Sequence, residues 1–231
     1  FVEYKLFKED NLSFLNMIAI RNDYKSLGIG TILFEKTRNF FADKGFGFIG
    51  LDVFASNTTA LNWYSKLGMI NYAALRYFNA AGASLDAQIG EDHTPETHLI
   101  PLILQTVLGK REKITVFGND YPTADGSAVR DYVHVLDLAD AHIKAMKWIK
   151  ENNRSDAFNL GNGEGFSVMQ VIQKTQEVTG CTVKYETGVR RSGDPAILIA
   201  SSEKARTVLR WAPKYSKIED IIQTAYNWHK K

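Results

Sequence analysis

The chain has 231 residues, of which 45% are hydrophobic and 23% are charged, and its formal net charge is +2. This composition is typical of a globular protein with one large domain or two small ones. The charges are mixed in sign, so nothing favours nucleic acid or a membrane surface as a partner. No apolar run approaches the roughly 20 residues that span a bilayer. The single cysteine, Cys181, excludes an internal disulfide and agrees with the cytoplasmic location that we expect.

The start of the chain suggests what kind of product it is. It begins at Phe1, without an initiator methionine, which favours a fragment, a processed chain or a partial gene product. The first residues also lack the basic region and the uninterrupted apolar core of a signal peptide.

The first seventy residues predict two strand-and-helix pairs. Apolar and aromatic residues at 12–20 predict a strand. The spacing of apolar residues predicts a helix over 31–44, which Gly45 ends. Residues 48–53 predict a second strand, and 57–66 predict a second helix with an asparagine at its N-cap. The predicted order of a strand, a turn and a helix therefore places a glycine-containing turn at the N-terminus of a helix.

That turn is a candidate anion site. Gly28 and Gly30 allow the backbone to approach a pyrophosphate closely. The N-terminus of the following helix presents unpaired N–H groups and a partial positive charge. Because a Gly-x-Gly sequence is also typical of an ordinary tight turn, the residues alone leave both interpretations open.

A wider pattern around this turn resembles the GNAT acetyltransferases. That family carries Gln/Arg-x-x-Gly-x-Gly/Ala between a strand and a helix, and residues 25–30 are Lys-Ser-Leu-Gly-Ile-Gly. Residues 57–69 resemble the family's Asn-x-x-Ala-x-x-x-Tyr-x-Lys-x-Gly-Phe phrase. The resemblance implies that Tyr64 is the general acid that returns a proton to the coenzyme A thiolate; an aromatic residue on an amphipathic helix is the alternative. The implied acetyl-CoA contacts are Lys25, Leu27, Gly28, Ile29, Gly30, Thr31 and Asn57.

The GNAT resemblance is partial. It covers residues 1–70, and Lys25 stands where the family has Gln or Arg. It omits the family's N-terminal strand and helices and its last two strands, so the acceptor pocket is left undefined.

Residues 73–231 alternate predicted strands and helices, which indicates the α/β class. The predicted strands are 73–78, 114–117, 157–163 with its turn, and 183–185, and the predicted helices are 99–108, 137–150, 218–228 and one that Ser167 caps. Arg130 and Arg191 carry guanidinium groups that fit a diphosphate, and Asp194 can accept from ribose or sugar hydroxyls. Pairing of Arg130 with Asp131 or Asp137 is an equally simple structural explanation.

Seven segments stand in a characteristic order in this part of the chain: LRYFNAAG (75–82), IGEDH (89–93), PETHLIP (95–101), VFGNDYPT (116–123), VRDYVHV (129–135), FNLGNG (158–163) and RRSGDPA (190–196). In that order they resemble the back half of the bacterial UDP-glucose 4-epimerase family, which is related to the short-chain dehydrogenases. The resemblance runs from about Ala73 to the end of the chain. It implies the C-terminal half of a Rossmann-like fold with its substrate-binding domain, UDP-glucose or UDP-galactose as ligand, and a homodimer as one alternative.

The same resemblance implies eight UDP-sugar contacts: Asn79, His98, Leu99, Thr115, Phe117, Arg130, Arg191 and Asp194. By family analogy, the two arginines clamp the diphosphate, Asp194 binds the ribose, and Thr115 and Phe117 flank the uracil.

The other implied contacts lie outside that group. Asn79 is expected to hydrogen-bond the diphosphate region, and His98 and Leu99 to meet the nucleotide, although some members of the family have Asn at the position of His98. We interpret His93 and His134 as structural polar residues, and no metal site is predicted.

Two parts of the epimerase chemistry are missing. In this family, epimerisation removes a hydride to NAD and returns it to the other face, but no segment has the Gly-x-x-Gly-x-x-Gly spacing of an NAD turn. By resemblance, the catalytic Tyr-x-x-x-Lys opens the helix before the strand at 73–78, where residues 57–66 now lie. Tyr4 and Lys8 have that spacing, but we interpret it as a coincidence. We therefore expect a UDP-hexose-binding half without an NAD site and without epimerase turnover.

The two resemblances meet at residues 68–74, so the chain is interpreted as a chimera of segments 1–70 and 73–231. Both families have a helix, a short turn and a strand at this place, which lets a crossover keep these elements in register. Three functions stay open: UDP-hexose binding, acetyl-CoA-dependent N-acetyl transfer, and a non-catalytic fusion fragment that only associates with itself.

Overall fold

The computed structural model describes residues 2–7, 12–18, 20–21, 23, 27–46, 48–51, 57–68 and 71–231. The chain divides into two compact units, Phe1–Tyr72 and Ala73–Lys231. Within the described residues, no helix combines the length and the apolar character that crossing a membrane requires.

The first unit contains a three-stranded sheet and two helices. Its elements are β1 (Val2–Phe7), β2 (Leu12–Ile18), α1 (Ile29–Asp43), β3 (Phe48–Leu51) and α2 (Thr58–Lys66). The strand order is β1-β2-β3, with β1 antiparallel and β3 parallel to β2. The strand β1 was not predicted, although Val2, Tyr4 and Leu6 alternate with Glu3 and Lys5 at the period of a strand.

Both helices of the first unit begin as the sequence predicts, within two residues. Gly28, which precedes α1, has φ 76°, a left-handed conformation that glycine adopts without strain. Asn57 is the N-cap of α2, and its side-chain oxygen accepts a hydrogen bond from the Ala60 N–H at 3.0 Å. The cap satisfies one of the N–H groups that a helix N-terminus leaves unpaired.

Aromatic side chains form the core of the first unit. Phe34 and Phe41, both on α1, are buried. The ring of Phe34 meets that of Trp63 on α2 edge-on at 6.0 Å, and the ring of Phe41 meets Tyr4 on β1 at 4.7 Å. Edge-to-face pairs of this kind stabilise a core beyond the area that they bury.

The second unit alternates short strands with longer helices. Its strands are β4 (Ala73–Tyr77), β5 (Ala80–Ala81), β6 (Ile114–Phe117), β7 (Val129–Asp131), β8 (Val133–His134), β9 (Asp156–Leu160), β10 (Gly165–Ser167), β11 (Tyr185–Gly188) and β12 (Ile197–Leu198). Its helices are α3 (Leu99–Val107), α4 (Val135–Asn152), α5 (Val168–Thr179), α6 (Glu203–Val208) and α7 (Ile218–His229). The α/β class predicted from the sequence is confirmed.

The strands of the second unit pair mainly in parallel. Parallel pairs join β4 to β9, β5 to β8 and β6 to β11. In the remaining sheet, of order β10-β7-β12, β7 is antiparallel to β10 and parallel to β12. Because β7 is the central strand of its sheet, its residues are held from both sides.

Two apolar clusters form the core of the second unit. The first lies among α3, α5, α7 and β6 and includes Ile103, Leu104, Val116, Val171 and Ile222. The second lies among α4, β9 and α6 and includes Trp148, Phe158, Leu160, Ala205 and Trp211. Burial of these side chains is the main favourable contribution to folding.

Two predicted boundaries differ from the structure for local reasons. The strand predicted at 183–185 lies at β11 instead, because the Val183 N–H donates to Gln176 Oε1 at 2.9 Å and not to a strand partner. The helix predicted from Asp137 begins at Val135, because His134 caps it through the Leu136 N–H at 3.1 Å.

Candidate functional site

Arg130 and Asp194 form an ion pair in the second unit. Arg130 lies on β7 and donates through Nη2 to Asp194 Oδ1, while its Nη1 donates to the Val129 carbonyl at 2.7 Å. The Tyr121 hydroxyl donates to the other carboxylate oxygen of Asp194 at 3.3 Å. The side chains of Arg130 and Asp194 are only 14% and 30% exposed, so solvent screens the pair weakly.

The structural alternative for Arg130, a pairing with Asp131 or Asp137, is wrong. Asp131 and Asp137 are buried, and backbone N–H groups occupy both carboxylates. The donors to Asp131 are Asn162, Gly163 and Ala200, at 3.1, 3.3 and 3.2 Å, and the donors to Asp137 are Lys214 and Tyr215, at 2.7 and 2.9 Å. Burial raises the pKa of Asp131, and the backbone donors oppose that shift. Arg130 therefore pairs with Asp194 and with neither of these two carboxylates.

A second pair joins the same loop to β6. The guanidinium group of Arg191 lies over the Phe117 ring, 4.0 Å from the ring centroid. The neighbouring Arg190 lies over the Tyr121 ring at the same distance, and the Asp194 N–H donates to the Arg191 carbonyl at 3.3 Å. The loop 190–194 therefore brings Arg130, Arg191, Phe117 and Asp194 into one contiguous group.

The outer face of β6 carries the other predicted base contact. Thr115 and Phe117 alternate with the buried Ile114 and Val116. Thr115 Oγ1 donates to Glu186 Oε1 on β11 at 3.2 Å. The adjacent Gly188 packs closely against Thr115, because a Cβ there would lie 2.6 Å from Thr115 Cγ2.

Asn79 is tied to the same strand as Arg130. Its Nδ2 donates to the Asp131 carbonyl at 2.9 Å, and its own carbonyl accepts from the Val133 N–H at 3.1 Å. These two bonds hold Asn79 at the carboxyl end of β4, beside the residue that follows Arg130.

His98 and Leu99 lie at the start of α3, in other contact groups. Leu99 packs against the core of α3, α5 and α7. His98, whose side chain is 47% exposed, is the N-cap residue of α3 and contacts Glu91 and Glu96. Of the eight predicted residues, the described contacts join four to one another, namely Arg130, Arg191, Phe117 and Asp194. Asn79, Thr115, His98 and Leu99 contact other residues.

Two residues beside this group were not predicted from the sequence: Tyr121, which donates to Asp194, and Arg190, which lies over the Tyr121 ring. Tyr121 is only 3% exposed, in a loop that composition marks as polar. An aromatic residue within such a loop is the signal that could have identified it.

The first unit contains the predicted acetyl-CoA turn. Gly28, the N-cap residue of α1, makes no side-chain cap hydrogen bond, while Leu27 and Ile29 are exposed. Thr31 Oγ1 accepts a hydrogen bond from Trp63 Nε1 at 3.1 Å, which ties the first turn of α1 to α2. Lys25 lies outside the described residues. An uncapped helix N-terminus behind a glycine is the geometry that binds phosphate groups.

Two further predicted residues of the first unit have structural contacts. The side-chain oxygen of Asn57 is occupied as the cap of α2. Tyr64 is half-buried and packs against Phe34 and Trp63 at ring distances of 6.1 and 4.8 Å. Burial, with a smaller contribution from Tyr4, raises the pKa of Tyr64, so its phenol is protonated at neutral pH.

Two protein families match different parts of the chain. The model of the NAD dependent epimerase/dehydratase family matches residues 55–161, and the model of the acetyltransferase (GNAT) family matches residues 1–69. Both matches include residues 55–69, and therefore α2.

The strongest similarities lie toward the end of the chain. A UDP-glucose 4-epimerase of Halalkalibacterium halodurans is 54% identical over 170 residues, which cover 74% of this chain and 51% of the relative. A crystal structure of a UDP-glucose 4-epimerase matches with a TM-score of 0.70 and 50% identity, over 75% of this chain and 53% of the other. The C-terminal part of this chain is homologous to UDP-glucose 4-epimerases.

The homology covers only part of each related protein. The chain spans about half the length of the curated relatives that it matches. The UDP-glucose 4-epimerase of Bifidobacterium longum, solved in complex with NAD+ and UDP, matches with a TM-score of 0.66 and 32% identity over 75% of this chain and 53% of its own. The predicted resemblance of the C-terminal part is confirmed, and the match to the GNAT family supports the other. The chimeric arrangement agrees with both matches and stays a prediction.

Proposed function

We propose that residues 73–231 bind a UDP-hexose, UDP-glucose or UDP-galactose, and that this chain does not catalyse 4-epimerisation. The observation that carries the proposal is the group formed by Arg130, Arg191, Phe117 and Asp194 around the loop 190–194. Homology of this part to UDP-glucose 4-epimerases supports the choice of ligand.

The diphosphate would bind between the two arginines. Arg130 already faces an anion, the Asp194 carboxylate, so a diphosphate replaces one negative partner by another. Guanidinium groups bind phosphate oxygens in a bidentate way that a lysine cannot reproduce. Asp194, released from Arg130, then accepts from the ribose hydroxyls. The amide of Asn79, which lies beside β7, would add a donor to the diphosphate.

The uracil would lie on the outer face of β6. Phe117 offers an aromatic ring that is 39% exposed, with the Arg191 guanidinium over one of its faces. A flat base stacks on such a ring with little conformational cost. His98 and Leu99, at the start of α3, are proposed as the remaining nucleotide contacts.

The residues of the second unit do not fit NAD. A dinucleotide binds where a parallel strand leads through a glycine turn directly into a helix. Among the described residues of the second unit, the parallel strands β4 and β9 lead to β5 and β10, and the parallel strand β8 passes into α4 without a glycine turn. The helix that precedes β4 carries Tyr64 and Lys66, which are not the Tyr-x-x-x-Lys pair. These observations support binding without turnover.

Titration calorimetry with UDP tests the proposal. We expect UDP to bind the intact chain and Arg191→Ala to weaken binding at least about 10-fold, since a hydrogen bond to a charged group contributes about 1.5–3 kcal/mol. The matched control is Arg154→Ala, which removes an exposed arginine that lies over Trp148. Equal affinities of Arg191→Ala and Arg154→Ala, or no UDP binding by the unsubstituted chain, would sink the proposal.

The second candidate function is acetyl-CoA-dependent N-acetyl transfer by the first unit. The uncapped N-terminus of α1 behind Gly28, a protonated Tyr64 and the GNAT match favour it. Gly28→Glu should abolish acetyl-CoA binding, because it adds a charge of the same sign as the pyrophosphate at a left-handed position. If neither UDP nor acetyl-CoA binds, the non-catalytic fragment remains.

A further inference from the structure

We propose that Glu91, His93, Glu96 and His98 form a binding site for a divalent transition-metal ion of the zinc class. The four residues lie in the loop between β5 and α3. Each offers one ligand atom, and these four atoms all lie within 4.8 Å of one another.

The distances agree with four ligands around one centre. His93 Nδ1 lies 3.3 Å from Glu91 Oε1 and 4.0 Å from Glu96 Oε1, and His98 Nδ1 lies 3.4 Å from Glu96 Oε1. In a tetrahedral zinc site with bonds of about 2.0–2.1 Å, neighbouring ligand atoms are about 3.3 Å apart. The group therefore needs only small side-chain movements to close around an ion.

The contacts in this group join imidazole nitrogens to carboxylate oxygens. The Nδ1 atoms of His93 and His98 both lie near Glu91 Oε1, and His98 Nδ1 is hydrogen-bonded to it. A cation at the centre is bound by all four atoms, and the two carboxylates neutralise its double charge. Imidazole and carboxylate ligands together favour zinc, cobalt, nickel or copper over magnesium and calcium.

Hydrogen bonds hold the Glu96 carboxylate and the backbone of Glu91 in place. Glu96 Oε1 accepts from the N–H groups of Thr97 and His98 at 2.6 and 2.8 Å. The Glu91 carbonyl accepts from Trp228 Nε1 on α7 at 2.8 Å. Hydrogen bonds to a ligating group orient it and commonly accompany metal sites.

The exposure of the four side chains leaves an entry path. Glu91 and Glu96 are 19% and 6% exposed and form the floor of the site, while His93 and His98 are 54% and 47% exposed and form its rim. An ion can reach the floor from solvent and be enclosed as the imidazoles close over it.

Titration calorimetry with zinc chloride tests the site, on the untagged full chain after treatment with a chelator. We expect one ion per chain with micromolar or tighter affinity. His93→Ala and Glu96→Gln should each weaken binding by at least about 10-fold, and His142→Asn, a histidine on α4, should bind as the parent does. His98 stays unchanged, because it is also a proposed nucleotide contact. No stoichiometric binding by the parent, or parent-like binding by both site variants, would overturn the proposal.

A second readout needs no substitution. Cobalt chloride added to the parent chain should give the visible absorption bands of four-coordinate Co²⁺, which saturate at one ion per chain and disappear when zinc is added. Absence of these bands contradicts the site even if a variant fails to fold.

Discussion

His134 links three elements through one buried imidazole. Its Nδ1 accepts from the Leu136 N–H at 3.1 Å, which caps α4, so the ring hydrogen lies on Nε2. Nε2 then donates to Thr224 Oγ1 on α7 at 3.0 Å, and that oxygen also accepts from the Ala83 N–H at 3.2 Å. A second ring proton would oppose the Leu136 N–H, so the folded chain requires the neutral ring. The structural role assigned to His134 from the sequence agrees with these contacts.

This requirement predicts a dependence of stability on pH. Burial lowers the pKa of His134 below its ordinary value of 6.5, although Asp137 and Asp220 oppose the shift. The unfolded chain therefore takes up the proton first as the pH falls, and the stabilisation present above about pH 6.5 is progressively lost below it. We expect the free energy of unfolding to fall between pH 7.5 and 5.5, and His134→Gln to reduce the slope by up to about 1.4 kcal/mol per pH unit. Urea unfolding at a series of pH values measures both slopes.

His229 provides the comparison for that experiment. Burial also lowers its pKa, against the opposing charges of Glu91 and Glu96. His229→Gln should therefore remove a separate part of the slope. A parent chain whose stability does not change over this range, or a steeper slope in His134→Gln, would contradict the assignment.

At the residue scale, candidate residues could be named from the sequence and their pairings could not. Arg130, Arg191 and Asp194 were named because guanidinium and carboxylate groups suit a diphosphate and a ribose, and because the order of motifs resembles the epimerase family. Their partners were not, because Arg130 meets a residue 64 positions away. The Glu-x-His-x-x-Glu-x-His spacing at 91–98 likewise gives no sign that the loop folds its four side chains toward one point.

At the scale of elements, the N-cap of α5 makes a measurable contribution. Ser167 accepts from the Gln170 N–H at 3.0 Å, and the Gln170 side chain accepts from the Ser167 N–H at 2.8 Å, which completes a capping box. The Ser167 hydroxyl also donates to Asp125. We expect Ser167→Ala to lower the free energy of unfolding of the second unit by about 1–2 kcal/mol, measured by urea denaturation.

The control for this substitution is Ser202→Ala. Ser202 precedes α6 and is also buried, but its side chain makes no cap hydrogen bond. Its loss should cost less than the loss of Ser167, and the reverse order would contradict the role of the capping box.

The elements that could be predicted are those with a strong local signal. The cap at Ser167 and the strand Ile114–Phe117 were both predicted correctly. The strands of two or three residues, such as β5 and β12, are too short to show a periodicity, and they form only because distant segments pair with them. The six-residue helix α6 also depends on distant segments, because Ala205 and Leu209 are buried against α4 and β9.

At the scale of the whole molecule, each unit has its own elements and its own core. The boundary between the units, at Tyr72 and Ala73, lies at the place where the two sequence resemblances meet. A change of resemblance along the chain could be read from motifs alone, because each family's motifs occur in order on one side only. The assignment of each unit to a function is a proposal, and the overlap of the two family matches at residues 55–69 leaves α2 common to both.

Differential scanning calorimetry of the intact chain, alone and with equal concentrations of UDP-galactose, acetyl-CoA or NAD, tests the central claim most directly. A ligand at about 100 times its dissociation constant adds about 2.7 kcal/mol to the folded state that binds it, which raises the transition temperature measurably. We predict a rise with UDP-galactose, carried by the second unit and reduced in Arg191→Ala, and no rise with NAD. No change with UDP-galactose, or a rise with NAD, would contradict a UDP-hexose site that works without the epimerase cofactor.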